Sequence, residues 1–137
     1  MPLARGYLDG AGHPRLRISV CGVTSCRSFD ALLDTGFTGF LLLPEASTAS
    51  LGLIPLSTTW HTLADGARVP TRIAIGSIEI ESGERYKGAI ALGNVVCPLI
   101  GMDFLRAAKK ALYVDSRSVA LLDEDELRNL SGETGQV

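Results

Sequence analysis

The sequence predicts an all-β domain with one or two short helices. Apolar residues alternate with polar residues in several short runs, and Gly, Pro, Asn or Asp interrupts each run. This pattern is typical of antiparallel strands joined by tight turns and not of a helical bundle. The chain has 137 residues and is 46% hydrophobic, which suffices for one core. We therefore expect a single β-domain.

The first predicted hairpin ends at a carboxylate. Apolar residues alternate over residues 16–20, and Gly22 follows as a turn residue. The returning strand has apolar residues at Phe29, Ala31, Leu32 and Leu33 and runs directly into Asp34. The hairpin therefore delivers Asp34 to the end of a strand.

The remaining predicted elements follow in close succession. Phe40 to Leu43 is a continuous apolar strand, and a short helix then runs to a stop at Gly52. The Asp65-Gly66 turn and a second break at Gly76-Ser77 imply two consecutive hairpins. Further strands are predicted over residues 89–92, 95–100, 112–114 and 119–122, with a second helix over residues 104–110.

The predicted domain spans residues 16–122. Residues 1–15 are expected to form an N-terminal extension. Residues 123–137 are acidic and then rich in Ser, Gly, Thr and Gln, so we expect a flexible tail.

The composition argues against several kinds of partner. Thirteen basic residues against fifteen acidic ones give a formal net charge of -2, without long runs of like charge, so no nucleic-acid or membrane partner is expected. Three cysteines, Cys21, Cys26 and Cys97, are an odd number and form no C-x-x-C pair; reduced thiols in a cytoplasmic protein fit best. With only two histidines, no metal or other cofactor is expected. The N-terminus lacks a signal-peptide pattern.

The tripeptide Asp34-Thr35-Gly36 suggests acid-base chemistry. Peptide hydrolysis without a metal or covalent nucleophile needs a base for water and an acid for the departing amide, and two adjacent carboxylates supply both. Such a pair cannot ionise fully, so it shares one proton. The tripeptide alone is also compatible with a simple polar turn.

A second motif far along the chain supports the interpretation of Asp34-Thr35-Gly36 as a site of peptide hydrolysis. Cys97 to Leu105 has apolar residues, then Leu99-Ile100-Gly101, then a helix start. With these motifs in order, the chain resembles the retropepsin-like aspartic proteases of clan AA, over roughly residues 16–122. Residues 99–105 look most like cellular members, including the protease domain of the DNA-damage-inducible ubiquitin-shuttle proteins. Phe37 after Gly36 resembles a prokaryotic group marked by Asp-Thr-Gly-Phe.

The resemblance implies a fold and a set of residue roles. The fold is a closed or partly open β-barrel, an acid-protease half-domain. Asp34 would be the catalytic carboxylate, Thr35 would bond across a dimer and Gly36 would contact the substrate backbone. Phe37 could fill a substrate pocket. A flap tip over residues 63–68 would close over the substrate, with Leu63, Ala64, Asp65 and Gly66 as binding residues. The residues that would pack behind the catalytic loop and support it are Leu99, Ile100 and Gly101.

The chain departs from viral members at two places. Phe37 stands where those members have a small residue. Met102 stands where they have an arginine that braces a carboxylate near the catalytic loop. Thr38 replaces that carboxylate, so both members of the pair are absent together.

One Asp-Thr-Gly motif per chain implies a homodimer. A two-aspartate site needs a second carboxylate, and a twofold axis would bring a second Asp34 to it. The expected activity is an aspartic endopeptidase acting on a peptide or protein substrate. Two alternatives stay open: a catalytically inactive protease-like domain that dimerises or binds peptides, and an unrelated β-barrel interaction module in which Asp34-Thr35-Gly36 is only a turn.

Overall fold

The strands account for most of the chain. The computed structural model describes residues 4–62 and 64–135. Within this part there are ten strands and three short helices, in the following order: β1 Ala4–Leu8, β2 Pro14–Cys21, β3 Cys26–Leu33, β4 Leu41–Pro44, α1 Ser47–Leu51, β5 Ser57–Thr62, β6 Arg68–Glu79, β7 Arg85–Gly93, β8 Leu99–Ile100, α2 Met102–Ala108, β9 Lys110–Val114, β10 Val119–Asp123 and α3 Glu124–Gly135.

The described strands form one sheet that closes on itself in its middle. The order is β5-β6-β7-β4-β8-β3-β2-β1-β10-β9, and β6 also pairs with β2. That extra pairing joins Ser19, Val20 and Cys21 to the C-terminal part of β6, so strands β6, β7, β4, β8, β3 and β2 make a ring. The prediction of an all-β, barrel-like domain with short helices is confirmed.

Two parallel pairings lie at the centre of the ring. β3 runs parallel to β8, with Leu33 opposite Ile100. β4 runs parallel to β7, with Leu42 opposite Ala91, and antiparallel to β8. Parallel neighbours need long crossover connections, so this region joins parts of the chain that are distant in sequence.

The core fills the ring and continues beneath the helices. Buried side chains come from nearly every strand and from α2, and an edge-to-face cluster of Phe40, Phe104 and Tyr86 sits at its centre, with ring centroids 5.7 and 5.8 Å apart. Such aromatic pairs add stabilisation beyond the area they bury. Phe104 therefore packs α2 against Phe40, which directly precedes β4, and against Tyr86 of β7.

The expected break at Gly76-Ser77 is wrong. β6 runs without interruption from Arg68 to Glu79, and the chain turns at Gly83 instead. Gly76 has a packing role: a Cβ there would lie 2.6 Å from Ile90 Cδ1 and 2.9 Å from the carbonyl oxygen of Cys21. A side chain at residue 76 would collide with Ile90 and with the backbone of β2, so a glycine is needed here.

Both ends of the expected domain differ in the structure. Ala4–Leu8 does not lie outside the sheet but pairs with β2 and β10. Ala4 is fully buried, which gives this segment an apolar anchor. The expected flexible tail continues from β10 as helix α3, and Asp123 accepts hydrogen bonds from the N–H groups of Asp125 and Glu126 at its start.

The expectation of reduced thiols is wrong for one pair. Cys21 and Cys26 face each other at the end of the β2–β3 hairpin and form a disulfide. Their Cα atoms are only 4.0 Å apart because the two residues are directly paired across the strands. Cys97 is a free thiol. The sequence argument for a cytoplasmic location, which used reduced cysteines, loses this support.

Candidate active site

Asp34 is held at the end of β3 by the neighbouring parallel strand. Its N–H donates to the carbonyl of Ile100 at 2.9 Å, and the N–H of Leu32 donates to the carbonyl of Pro98 at the same distance. The Asp34 side chain is half-buried. The predicted supporting residues Leu99 and Ile100 therefore lie directly beside the strand that carries Asp34.

The loop after Asp34 folds back on its carboxylate. The N–H of Gly36 donates to Asp34 Oδ1 at 2.9 Å, and the N–H of Phe37 donates to the Asp34 carbonyl at 3.0 Å. These bonds fix the side-chain orientation, while Thr35 and Gly36 stay exposed. The loop thus presents the carboxylate of Asp34, the hydroxyl of Thr35 and the backbone of Gly36.

The first turn of α2 braces the other side of this loop. The N–H of Met102 donates to the Phe37 carbonyl at 2.9 Å, and the N–H of Asp103 is shared between the carbonyls of Thr38 and Gly39 at 3.2 and 3.1 Å. These N–H groups have no partner within a helix, so the loop satisfies them. Backbone hydrogen bonds therefore brace the loop at Met102 and Thr38, the two positions that lack the ion pair described above for viral members.

Phe37 points inward from the loop. Its side chain is 1% exposed and packs with the buried Leu42 and Ala91. It also lines a groove of about 300 Å³, together with Ile73 and Ala89. The aromatic ring therefore forms the inner wall of a groove beside the Asp34 loop and does not project into solvent.

The β5–β6 hairpin reaches this loop. Its turn contains Gly66 at a φ of 88°, a conformation that favours glycine, and the N–H of Ala67 donates to Asp65 Oδ1 at 2.9 Å. A Cβ at Gly36 would lie 3.1 Å from the Cβ of Ala64. Of the predicted flap residues, Ala64 therefore lies against the Asp34 loop, Asp65 and Gly66 form the turn, and Leu63 is outside the described residues.

Sequence reasoning missed an ion pair near the loop before β8. Arg15 Nε lies 2.8 Å from Asp9 Oδ2, and Arg15 Nη1 lies 2.8 Å from Cys97 Sγ. The hydrogen bond from Arg15, with help from the N–H of His13, lowers the pKa of Asp9 to about 2. One acidic and one basic residue six positions apart are too common a pattern to have revealed this pair.

Sequence reasoning also missed a groove beside Thr35. It has a volume of about 390 Å³ and is formed by the Asp34 loop, α2 and β9, with Thr35, Met102, Leu105 and Leu112 among its lining residues. These residues are far apart in sequence, so no local pattern indicates that they meet. The groove therefore begins at the Asp34 loop and extends along α2 and β9.

No group of three or more metal-ligating side chains occurs in the described part of the chain. Among the same residues, no helix has the length and apolar character needed to cross a membrane.

Comparison with solved structures identifies the fold. A retropepsin-like aspartic protease from Rickettsia conorii matches with a TM-score of 0.56 and 20% sequence identity, covering 88% of this chain and 90% of that one. EIAV protease, solved with an inhibitor, also matches with a TM-score of 0.56, at 18% identity, covering 74% of this chain and 93% of that one. No protein-family model and no curated protein sequence matches the chain. The chain therefore has a retropepsin-like fold.

Proposed function

We propose that the protein is an aspartic endopeptidase of the prokaryotic Asp-Thr-Gly-Phe type, active as a homodimer. The main support is Asp34, a half-buried carboxylate fixed at a strand end by Ile100 and by its own loop. Both similar structures are proteases. Fold similarity does not by itself establish chemistry, so the proposal rests on the site.

In the proposed reaction, the Asp34 carboxylates of two chains face each other across a twofold axis. One carboxylate is ionised and removes a proton from water, which attacks the peptide carbonyl carbon. The other carboxyl group is protonated and first hydrogen-bonds the carbonyl oxygen. Collapse of the tetrahedral intermediate breaks the C–N bond, and the departing nitrogen takes up a proton from the carboxyl pair.

The other predicted residues have supporting roles in this proposal. Thr35 bonds to the partner's loop across the axis. Gly36 leaves space for the substrate backbone, and the β5–β6 hairpin acts as the flap. Because Ala64 already lies against Gly36, a peptide must displace this hairpin before it reaches Asp34.

The direct test is cleavage of a peptide library between pH 4 and 7 by the wild type and by Asp34→Asn. The substitution keeps the side-chain shape and the oxygen that accepts the Gly36 N–H, so the variant should keep the wild-type melting temperature. Cleavage should fall by at least about a thousandfold, since removing one member of a catalytic carboxylate or triad group costs this order of activity.

Two other results would count against the proposal. Equal cleavage by a verified Asp34→Asn protein would exclude Asp34 from the chemistry. A folded wild-type dimer that binds library peptides and cuts none would support the inactive, peptide-binding alternative.

A further inference from the structure

The Cys21–Cys26 disulfide lies where the sheet closes on itself. Cys21 is paired on both sides, with Cys26 of β3 and with Ser77 of β6. The pairing with Ser77 belongs to the short contact between β2 and β6 that completes the ring. The backbone of Cys21 is also close to β6, because a Cβ at Gly76 would lie 2.9 Å from the Cys21 carbonyl oxygen. The disulfide therefore fixes the strand to which the C-terminal part of β6 is attached.

The tip of the β2–β3 hairpin, residues 22–25, also holds the end of α1. The Ser25 hydroxyl donates to the Ser50 carbonyl at 2.6 Å. The Thr24 N–H donates to the Leu51 carbonyl at 3.4 Å. The disulfide closes the hairpin directly behind this tip, so it also restrains the tip against the last turn of α1.

Both strands of the β5–β6 hairpin are thus anchored around one disulfide. β5 follows α1 after a short connection that contains the buried Leu53. The Cδ2 atom of Leu53 would lie 3.2 Å from a Cβ at Gly76, so this connection packs on β6 next to Cys21. At the far end of the hairpin, Ala64 lies against Gly36. The disulfide is therefore at the base of the segment that covers the Asp34 loop.

One half of the disulfide faces solvent. Cys26 is exposed, whereas Cys21 is only 4% exposed. A thiolate of a dithiol reductant can therefore attack the Cys26 sulfur, and the S–S bond breaks with its electron pair leaving on Cys21, which takes up a proton. The second thiol of the reductant then attacks the mixed disulfide and releases Cys26 as a thiol. The protein gains two electrons and two protons, and the dithiol becomes a disulfide.

We propose that the Cys21–Cys26 disulfide is a redox-controlled latch at the base of the β5–β6 hairpin. In the oxidised protein the latch restricts the opening of the β2–β3 tip and so keeps α1 and β6 in place. In the reduced protein the tip opens more often, the base of the β5–β6 hairpin loosens, and peptides reach the Asp34 loop more readily. The effect on peptide entry rests on the proposed function, whereas the loosening of the hairpin does not.

Hydrogen exchange of the intact chain tests the latch directly. Amide exchange in α1, β5 and the C-terminal part of β6 should be roughly tenfold faster after reduction with dithiothreitol than in the oxidised protein. Exchange in β9 and β10 should not change, since the described pairings of these strands are with each other and with β1. Unchanged exchange in β5 would overturn the proposal. An equal rise in β9 and β10 would also overturn it, because reduction would then cause only a general loss of stability.

Two variants make the test specific to this disulfide. The double variant Cys21→Ala, Cys26→Ala has no bond to reduce, so its exchange should match the reduced wild type and should not respond to dithiothreitol. Cys97→Ser keeps the disulfide and should respond as the wild type does. A response in the double variant, or its loss in Cys97→Ser, would assign the effect to another group and overturn the latch. The wild-type comparison needs no substitution, so it decides the matter even if the double variant does not fold.

Peptide cleavage is a separate readout. Because the hairpin must move aside for a peptide, kcat/KM of the reduced wild type should be about two- to tenfold higher than that of the oxidised protein. An equal or lower value, in a protein whose β5 exchange responds to reduction, would overturn the link between the latch and peptide entry. A protein whose β5 exchange responds but which cuts no peptide in either state supports the latch and counts against the protease.

Discussion

The aromatic ring of Phe37 lies against the backbone of Gly101, so that a Cβ at residue 101 would be 2.6 Å from the ring atom Cδ2 and 2.5 Å from the Phe37 carbonyl oxygen. Real Cβ atoms do not approach other atoms this closely. The Asp34 loop and the start of α2 are in contact only because residue 101 has no side chain.

Gly101→Ala should therefore destabilise the protein. The added methyl group meets backbone, which cannot move without breaking the bonds from α2 to the loop, so we expect a loss of about 1–3 kcal/mol or more in unfolding free energy. Urea unfolding of wild type and variant measures the loss. Gly10→Ala is the matched control, because a Cβ there meets nothing within 4 Å. A Gly101→Ala protein as stable as the control would contradict the tight packing.

Phe37→Ala should leave a cavity behind the loop. Its side chain is 1% exposed, and the loss of a buried phenyl group costs about 3–5 kcal/mol. Phe37→Leu keeps most of the apolar contact and should cost less. Chemical denaturation of both variants gives the two values.

The same Phe37 variants test its place in substrate selection. If Phe37 forms the inner wall of a substrate groove, Phe37→Leu should accept bulkier peptide side chains than the wild type does. An unchanged cleavage pattern from a stable Phe37→Leu protein would assign Phe37 to packing alone.

Much of the architecture could be predicted from the sequence. Alternation gave the β2–β3 hairpin, and the Asp-Gly turn gave the β5–β6 hairpin, because both signals are local. β8 was expected over residues 95–100 but comprises only Leu99 and Ile100. Its extent depends on β3 and β4, which are distant partners that a local pattern does not reveal.

The site was predictable in its motif and not in its packing. The order of Asp34-Thr35-Gly36 and Leu99-Ile100-Gly101 indicated two segments that the structure brings together. The inward direction of Phe37 and the contact between Ala64 and Gly36 follow from tertiary structure. The Cys21–Cys26 disulfide was missed because the argument used the odd cysteine count and not the cross-strand register.

Removing the carboxylate partner of the buried Lys110 should destabilise the protein more than replacing Lys110 itself. Its side chain is 3% exposed and lies 3.0 Å from Glu84, whose pKa is lowered by the Tyr86 hydroxyl and by Lys110. Glu84→Gln leaves the buried ammonium group with Asp123 alone, so we expect a loss of about 1–3 kcal/mol. Lys110→Met replaces the buried charge by an apolar side chain of similar length and should be nearly neutral. Thermal unfolding of the two variants compares them, and the reverse order would contradict this account.

The Asp9–Arg15 pair should make the stability of the protein fall as the pH is lowered into the acid range. The pKa of Asp9 is lowered to about 2 in the folded chain, below its ordinary value of 3.8. Its contribution is therefore complete only well above pH 4 and is lost as the pH falls towards 2, because the unfolded chain then binds the proton more readily. Asp9→Asn should reduce the fall in melting temperature between pH 4 and 2. Part of the fall should remain, because the pKa of Asp115 is also lowered to about 2, chiefly by the N–H of Arg117.

Arg15→Gln provides the check on this assignment. If Arg15 causes the shift, Arg15→Gln and Asp9→Asn should have similar effects, and the double variant should add little. Independent, additive effects would show that the two residues act separately.

The bond from Asp34 to Ile100 also has a consequence during protein synthesis. The ribosome releases the Asp34 loop long before it releases β8 and α2, which supply the partners of Asp34, Phe37 and Thr38. A growing or prematurely terminated chain that stops before Gly101 therefore contains the Asp-Thr-Gly sequence without the parallel strand and helix that hold it. The proposed peptidase would acquire its active geometry only after β8 and α2 have emerged, so chains that lack these elements would not cut their neighbours.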